Sequence, residues 1–178
     1  EVLDVSSGKT KMILETMDWI GSPSFTKDGK NIQYDNGNKS FLIPVSGGKP
    51  KETISPVNST MTESDGMYTY YSDQNTGTNQ VWRKKQDGIG QQLTYDSEHA
   101  WYPHLSPDKK YIAYLAYPHD VNPKQSVAYQ KVSLKLLPLG GGGAKNIAYF
   151  FGGKGSFEKN SWSPDGKQIV YISNGMRR

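Results

Sequence analysis

The chain has 178 residues, a net charge of +4 and 34% hydrophobic residues. This length suits one domain or a short repeat array, and no apolar run approaches the roughly 20 residues of a membrane span. Cysteine is absent, which excludes disulfides and thiolate metal sites. The basic residues are scattered, apart from clusters at 83–85 and 177–178, so we interpret them as a solvated surface and not as a nucleic-acid site. Nineteen glycines, ten prolines and 12% aromatic residues favour short strands joined by tight turns.

One pattern, a turn followed by an apolar or alternating strand, occurs four times. The copies are TKDGKNIQY (26–34), ESDGMYTYY (63–71), SPDKKYIAY (106–114) and SPDGKQIVY (163–171). Their shared aspartates are Asp28, Asp65, Asp108 and Asp165. At this turn position an aspartate bonds back to the backbone, so we interpret all four as turn formers and not as acids. Lys109 replaces the usual glycine, which costs about 1 kcal/mol if the residue is left-handed.

Each copy is followed by two more strand-like runs with a glycine turn between them. The longer runs are 39–45, 80–85 and 131–137, and the shorter ones are 52–54, 92–94 and 146–148. With the strand that leads into each turn, the unit has four antiparallel strands. One such sheet cannot bury both of its faces alone, so the units must stack. The sequence therefore predicts an all-β propeller with four blades.

The chain termini complete one blade in this interpretation. The repeat aspartates are 37, 43 and 57 residues apart, and the interval from Asp165 through both termini to Asp28 is 41 residues. The last copy has only two strands, so we predict that 2–5 pairs beside 169–172, with 11–14 outermost. This closure favours a ring over an open solenoid. The predicted blades span about 16–54, 55–95, 96–153, and 154–178 together with 1–15.

The turn pattern SPDGK, the following apolar strand and the Gly-Gly turn resemble the WD40-like (PD40) repeat of TolB-type propellers, over essentially the whole chain. The segments WYPHLSPD (101–108), DVNP (120–123) and FGG (151–153) resemble TolB-related proteins of Bacteroidetes type. Such relatives usually have six blades. Either this is a four-bladed ring, or blades have been lost between Ile54 and Ser59. The resemblance implies partner proteins and a bacterial envelope location, periplasmic or secreted, with a targeting segment already removed before Glu1.

Three histidines belong to the predicted third blade. We place His99 and His119 in loops on one face, and His104 in or beside the innermost strand, where it could point into the channel. TolB-like polysaccharide lyases carry a histidine-rich metal site, so the resemblance is compatible with metal binding by these histidines. No metal-ligand spacing supports it here. We interpret the three as surface or packing residues and predict no metal, no cofactor and no catalytic residue.

Aromatic side chains accompany these histidines on the same face. Trp19, Trp101 and Phe157 precede equivalent innermost strands, where they either bind a ligand or pack between blades; both interpretations stay open. The predicted binding residues are Trp19, His99, Trp101, His104, His119, Asp120 and Phe157. Carboxylates on or near this face are Asp18, Asp96, Glu98, Asp120 and Glu158, whose separations a sequence does not give. The longest excursion is predicted from Pro118 to Tyr129, and long loops often carry binding sites.

The sequence favours a non-catalytic module that binds a protein or a glycan through loops on one face. It contains no G-x-S-x-G elbow and no P-loop, and the glycine run 140–143 is interpreted as a hairpin turn. One alternative is a propeller enzyme, either a polysaccharide lyase or hydrolase or the gating propeller of a prolyl-oligopeptidase-like enzyme. The gating version predicts a hydrolase domain beyond Arg178. Another alternative is a truncated or artificial ring without a function of its own. The oligomeric state stays open.

Overall fold

The computed structural model describes residues 1–37, 39–53, 63–74, 76–85, 87–121, 129–153 and 155–175. These residues form strands, turns and loops in four antiparallel sheets. None of the described residues belongs to a helix long and apolar enough to cross a membrane. The predicted all-β propeller with four blades is confirmed.

The four sheets form blades 1 to 4. The strands of each blade are given in the order in which they pair, from the innermost outwards. Blade 1 is β3 (Gly21–Phe25), β4 (Asn31–Asn36), β5 (Lys39–Pro44) and β6 (Lys51–Thr53). Blade 2 is β7 (Glu63–Ser64), β8 (Thr69–Asp73), β9 (Gln80–Lys84) and β10 (Gln91–Gln92). Blade 3 is β11 (His99–Leu105), β12 (Tyr111–Tyr117), β13 (Gln130–Pro138) and β14 (Lys145–Gly152). Blade 4 is β15 (Gln168–Val170), β1 (Val2–Asp4) and β2 (Thr10–Lys11).

Blade 4 is assembled from both ends of the chain, as the sequence predicts. In the β1–β15 register Val2 lies opposite Val170, and Leu3 lies opposite Ile169. Strand β2 is outermost, and a single bridge from Trp162 to Ile169 occupies the innermost position. The half repeat at the C-terminus is thus completed by the N-terminal strands, which covers an otherwise unpaired edge of β15.

The turn between the first and second strands of each blade is fixed by its aspartate. In blade 4 the hydroxyl of Ser163 donates to Asp165 at 2.6 Å and accepts the amide N–H of Gln168 at 2.8 Å. The turns of blades 1 and 3 repeat these bonds. In blade 2 the carboxylate of Asp65 accepts two backbone amides and the Tyr70 hydroxyl instead. The interpretation of the four aspartates as turn formers is confirmed.

Three clusters of buried side chains join neighbouring blades. Leu3, Leu115 and Ile169 belong to the cluster between blades 3 and 4. A second cluster, with Tyr70 and Ile112, lies between blades 2 and 3. The third lies between blades 4 and 1 and consists of Val2, Ile32, Tyr34, Ile43 and Val170. Strand alternation explains the split, because successive residues of β1 face opposite neighbours.

Blades 1 and 2 are connected by residues 54–62, which lie outside the described residues. The proposed loss of blades between Ile54 and Ser59 falls on that segment and thus lies outside the described residues. Among the described residues, no buried cluster like the other three joins these two blades. The glycine of the blade 2 turn, Gly66, also faces open space, whereas Gly29 and Gly166 each meet the turn proline of the adjacent blade.

The innermost strands of blades 1 and 3 contain matching bulges. Ser22 and Tyr102 have positive φ angles of 54° and 53°, and the strand register shifts at both places. A bulge of this kind re-aims the side chains that precede it. Strand β11 continues past this bulge back to His99, so His99 and Trp101 lie in the innermost strand and not in the loop where the sequence placed them.

The first prediction concerns the N-terminal strand. Leu3 is fully buried in the cluster between blades 3 and 4, so Leu3→Ala should lower the free energy of unfolding by about 2–5 kcal/mol. The control is Met12→Ala in the same terminal segment, because Met12 is 57% exposed and its loss should change stability by about 0.5 kcal/mol or less. Urea unfolding measures both. Equal effects of the two substitutions would show that β1 does not complete blade 4.

The second prediction concerns the left-handed lysine. Lys109 has a φ of 59°, and its Nζ donates to the carbonyl of Asp65 at 2.8 Å. Lys109→Ala and Lys109→Gly both remove that bond, so their difference reports the backbone alone. The glycine variant should be more stable by about 1 kcal/mol. At Lys110, which has no positive φ, glycine should instead be less stable than alanine by about 0.5–1 kcal/mol. The same ranking at both positions would contradict this assignment of strain.

Candidate binding site at the loop end

The propeller has two chemically different ends. At the loop end the chain enters the first strand of each blade, and the second strand connects to the third. At the turn end lie the turns between strands one and two and between strands three and four. All blades share this orientation, because the turn of each blade contacts that of its neighbour: Gly29 faces Pro164, and Gly166 faces Pro107, while Lys109 bonds to Asp65.

Trp19 is the most prominent aromatic side chain at the loop end. It is 62% exposed, yet its ring lies on the backbone of Gly21 and close to Gly155. A Cβ atom on Gly21 would lie 2.9 Å from the indole, so the contact depends on the absence of a side chain there. The amide N–H of Ser22 donates to the carbonyl of Gly155 at 2.8 Å. Trp19 therefore covers the junction of blades 4 and 1 and presents its outer surface to solvent.

His99 is buried and joins two loops. Its Nδ1 accepts the backbone N–H of Asn79 at 3.1 Å, so the ring proton of the neutral imidazole lies on Nε2. Nε2 donates to the carbonyl of His119, also at 3.1 Å. This arrangement fixes the start of the long blade 3 connection. The side chains of His119 and of the adjacent Asp120 are exposed.

Trp101, His104 and Phe157 pack within the protein. The Trp101 ring contacts Tyr102 and, edge to face, Tyr117 at a centroid distance of 6.4 Å. His104 donates from Nε2 to the carbonyl of Phe157 at 2.9 Å, and its Nδ1 lies 3.1 Å from a carboxylate oxygen of Glu63. Phe157 is fully buried and lies edge-on to His104. Of the seven predicted binding residues, Trp19, His119 and Asp120 are the ones with exposed side chains.

Two of the acidic residues are held by a buried lysine. The Lys135 ammonium, in a side chain only 10% exposed, lies 3.0 Å from Asp96 and 2.6 Å from Glu98. Burial alone would lower the pKa of Lys135, but the hydrogen bonds to Glu98 and Asp96 outweigh it and raise this pKa. The hydroxyl of Tyr114 also donates to Asp96; burial, and next the charge of Asp96, raise the pKa of this tyrosine.

Sequence reasoning placed Asp96 and Glu98 on this end but missed Lys135. The sequence does contain a signal for this ion pair. Lys135 interrupts the apolar run of β13 (Gln130–Pro138), and a lysine buried in such a strand needs a counter-charge. Gln80 completes the arrangement: its Nε2 donates to the carbonyl of Asp96 at 2.8 Å, and its Oε1 accepts the hydroxyl of Thr94. The blade 3 loop is thereby held rigidly against blade 2.

The loop end is acidic as a whole. Its described carboxylates outnumber its lysines: Glu15, Asp18, Asp35, Asp73, Asp96, Glu98, Asp120 and Glu158 against Lys39, Lys131, Lys135 and Lys159. Exposed aromatic side chains lie among them, with Tyr95 at 79% and Tyr129 at 68% exposure. Among the described residues, no group of three or more histidines and carboxylates is placed to hold a metal ion.

The long blade 3 connection is confirmed by the strand limits. Strand β12 ends at Tyr117 and β13 begins at Gln130, whereas the second and third strands of blade 1 are separated by two residues. Residues 122–128 of this connection lie outside the described part of the chain. Its described ends place Asp120 and Tyr129 at the loop end, beside the carboxylates of blade 3.

Comparison with solved structures gives the same architecture. A structure described as TolB from Agrobacterium tumefaciens matches with a TM-score of 0.77 and 17% identity, over 97% of this chain and 96% of that one. TolB from Acinetobacter baumannii matches with a TM-score of 0.50 and 23% identity, over 99% of this chain and 43% of that one. At these identities the likeness is one of fold. The fold is that of TolB propellers.

The sequence match covers a smaller part of the chain than the structural matches do. An uncharacterized protein of Agrobacterium fabrum is 32% identical over 111 residues, which is 61% of this chain and 36% of that protein. The match therefore spans about a third of the relative's length. No family model matches the chain.

The third prediction concerns alkaline pH. Burial, and next the charge of Glu158, raise the pKa of Tyr102 to about 12, whereas tyrosine in an unfolded chain titrates near 10 (roughly). Between these values the unfolded chain binds fewer protons, so stability is fully present below about pH 10 and falls as the pH rises towards 12. Urea unfolding on both sides of pH 10 measures the slope. Tyr102→Phe should reduce that slope, and an identical slope in the variant would contradict the assignment.

Proposed function

We propose that the chain, which has the fold of TolB propellers, is a non-catalytic binding module of the bacterial envelope, periplasmic or secreted. Its loop end binds a protein partner that presents a basic surface. The observation that carries this proposal is Trp19, an exposed indole held against a glycine backbone in an acidic surrounding. Large aromatic groups held rigidly lose little entropy on contact, which is why they dominate binding energies at protein interfaces.

The distribution of the exposed groups favours a protein over a glycan. Trp19 lies before blade 1, Tyr95 before blade 3, and Tyr129 in the blade 3 connection. These aromatics are thus spread over several loops. A surface of this kind matches a broad partner better than a single sugar chain. The excess of carboxylates selects for positive charge on that partner and accelerates its approach.

The acidic residues also support a binding role better than a hydrolytic one. A carboxylate that acts on a substrate must be accessible to it. Asp96 and Glu98 instead lie 3.0 Å and 2.6 Å from the Lys135 ammonium, so both are engaged in ion pairs within the protein. In this role they anchor the loop and contribute negative potential.

The fourth prediction tests the role of Trp19. A photo-cross-linking phenylalanine at position 19, expressed in the organism from which the gene comes, should give one defined protein adduct. With that partner purified, Trp19→Ala should weaken binding by about 2 kcal/mol, or roughly thirty-fold, and lower the melting temperature less than Trp101→Ala does, because 62% of the Trp19 side chain is exposed. Binding should also weaken with added salt.

The control is Ile89→Ala at the turn end, where the side chain is 97% exposed. This substitution removes an apolar side chain that is even more exposed than Trp19 and should leave partner binding unchanged. Trp101→Ala should instead lower stability, because that ring is packed against Tyr102 and Tyr117. A partner whose affinity is insensitive to Trp19→Ala, or a soluble glycan that competes for the same adduct, would contradict the proposal.

A further inference from the structure

The turn end carries the opposite charge from the loop end. Eleven exposed lysines lie on its described turns and the strand residues that border them: Lys9, Lys27, Lys30, Lys49, Lys51, Lys84, Lys85, Lys109, Lys110, Lys145 and Lys167. They come from all four blades. The carboxylates on the same turns are fewer, namely Asp4, Asp28, Asp65, Asp87, Asp108 and Asp165. The turn end therefore has a net positive charge.

Most of these lysines are available to an external partner. Lys110 lies 3.6 Å from Asp108, and Lys109 bonds to the carbonyl of Asp65. The other nine make no ion pair within the described part of the chain. Two of these nine lie over tyrosine rings, with the ammonium groups of Lys84 and Lys85 each 5.7 Å from a ring centre. The turn aspartates are instead occupied by local donors. For Asp28, the Thr26 hydroxyl and then the Lys30 amide lower the pKa, so this group serves the turn.

Two apolar side chains project from the same end. Ile89, in the turn between β9 and β10, is 97% exposed, and Met67, in the turn before β8, is 64% exposed. Both belong to blade 2 and are flanked by Lys84 and Lys85. Exposed apolar tips surrounded by lysines combine the two interactions by which proteins attach to anionic membranes, namely insertion at the interface and attraction to lipid phosphates.

We propose that the turn end docks on an anionic phospholipid surface, with the Ile89 and Met67 tips inserted between headgroups. This inference concerns the end opposite to the proposed partner site and does not depend on it. Docking in this way directs the acidic loop end away from the membrane, because carboxylates are repelled by anionic lipid. The loops with Trp19 and Asp120 are then presented to the surrounding compartment.

The composition of the turn end favours a lipid surface over a nucleic acid. The lysines are spread across turns of four blades instead of lining one groove, and arginine, which reads phosphate in two-pronged contacts, is not among them. Arg83 is occupied, since its guanidinium lies 4.6 Å from the Tyr68 ring centre and its Nε donates to Gln91. The aliphatic side chain of Ile89 cannot stack on a nucleic-acid base, but it can insert at the boundary between lipid headgroups and acyl chains.

The experiment is sedimentation of the protein with vesicles. Vesicles of phosphatidylglycerol mixed with phosphatidylcholine should bind the protein, and binding should weaken as salt is added. Vesicles of phosphatidylcholine alone should not bind it. Each lysine near an anionic leaflet contributes about a five-fold factor in affinity. The double variant Lys27→Glu/Lys145→Glu should therefore bind the mixed vesicles at least about 25-fold more weakly.

The matched control is Lys39→Glu/Lys131→Glu, which makes the same change of net charge at the loop end and should weaken binding less than about two-fold. Ile89→Ser should reduce vesicle binding, most visibly at high salt. The proposal is overturned by absent binding to the mixed vesicles, or by equal loss in the two double variants. It is also overturned if short duplex DNA displaces the vesicles and Ile89→Ser has no effect, because the surface would then recognise polyanions in general.

Discussion

The pairing of β1 with β15 is the interaction on which the rest of this structure depends. Blade 4 has apolar residues on both faces, and each face needs a residue pair from the two ends of the chain. Leu3 and Ile169 contribute to the cluster with blade 3, whereas Val2 and Val170 contribute to the cluster with blade 1. Without β1, two of the three inter-blade clusters lose a buried side chain. Trp19 covers the same junction from the loop end, where Gly155 and Gly21 meet.

The architecture was predictable because it depends on short-range chemistry that repeats. The aspartate turns recur with the same hydrogen bonds, and the half repeats at the termini have a combined length that matches one blade. Even the departure at Lys109 was visible, since a lysine occupied a glycine position and indeed has a positive φ. Such features need only neighbouring residues and the alternation of a strand.

The site was less predictable because it depends on contacts between distant segments. His99 was expected in a loop, but it lies in β11, and its buried ring bonds to the Asn79 amide and the His119 carbonyl. Trp101 and Trp19 looked equivalent in sequence. They differ because Trp101 packs against the aromatic rings of Tyr102 and Tyr117, whereas Trp19 lies on the backbone of Gly21. The lysine that binds Asp96 and Glu98 lies far along the chain, and only the strand register brings it to them.

The two ends of the propeller carry opposite net charges, so the molecule is electrostatically polar along its axis. Turns favour aspartate for geometric reasons, yet lysines outnumber these aspartates at the turn end, and carboxylates dominate the loops. A rigid propeller keeps the two ends apart, so one end can attach to a surface while the other meets a partner. This division of roles requires that the blades hold together as one body, and the closure of blade 4 contributes to that cohesion.

Hydrogen–deuterium exchange tests that closure most directly. The account predicts that the amides of β1 and β15 exchange as slowly as each other and open in one event with the strands of blade 3, since all share the cluster around Leu3. Fast exchange of residues 2–4 in an otherwise protected protein would contradict it, because the N-terminal strand would then not be part of the folded blade.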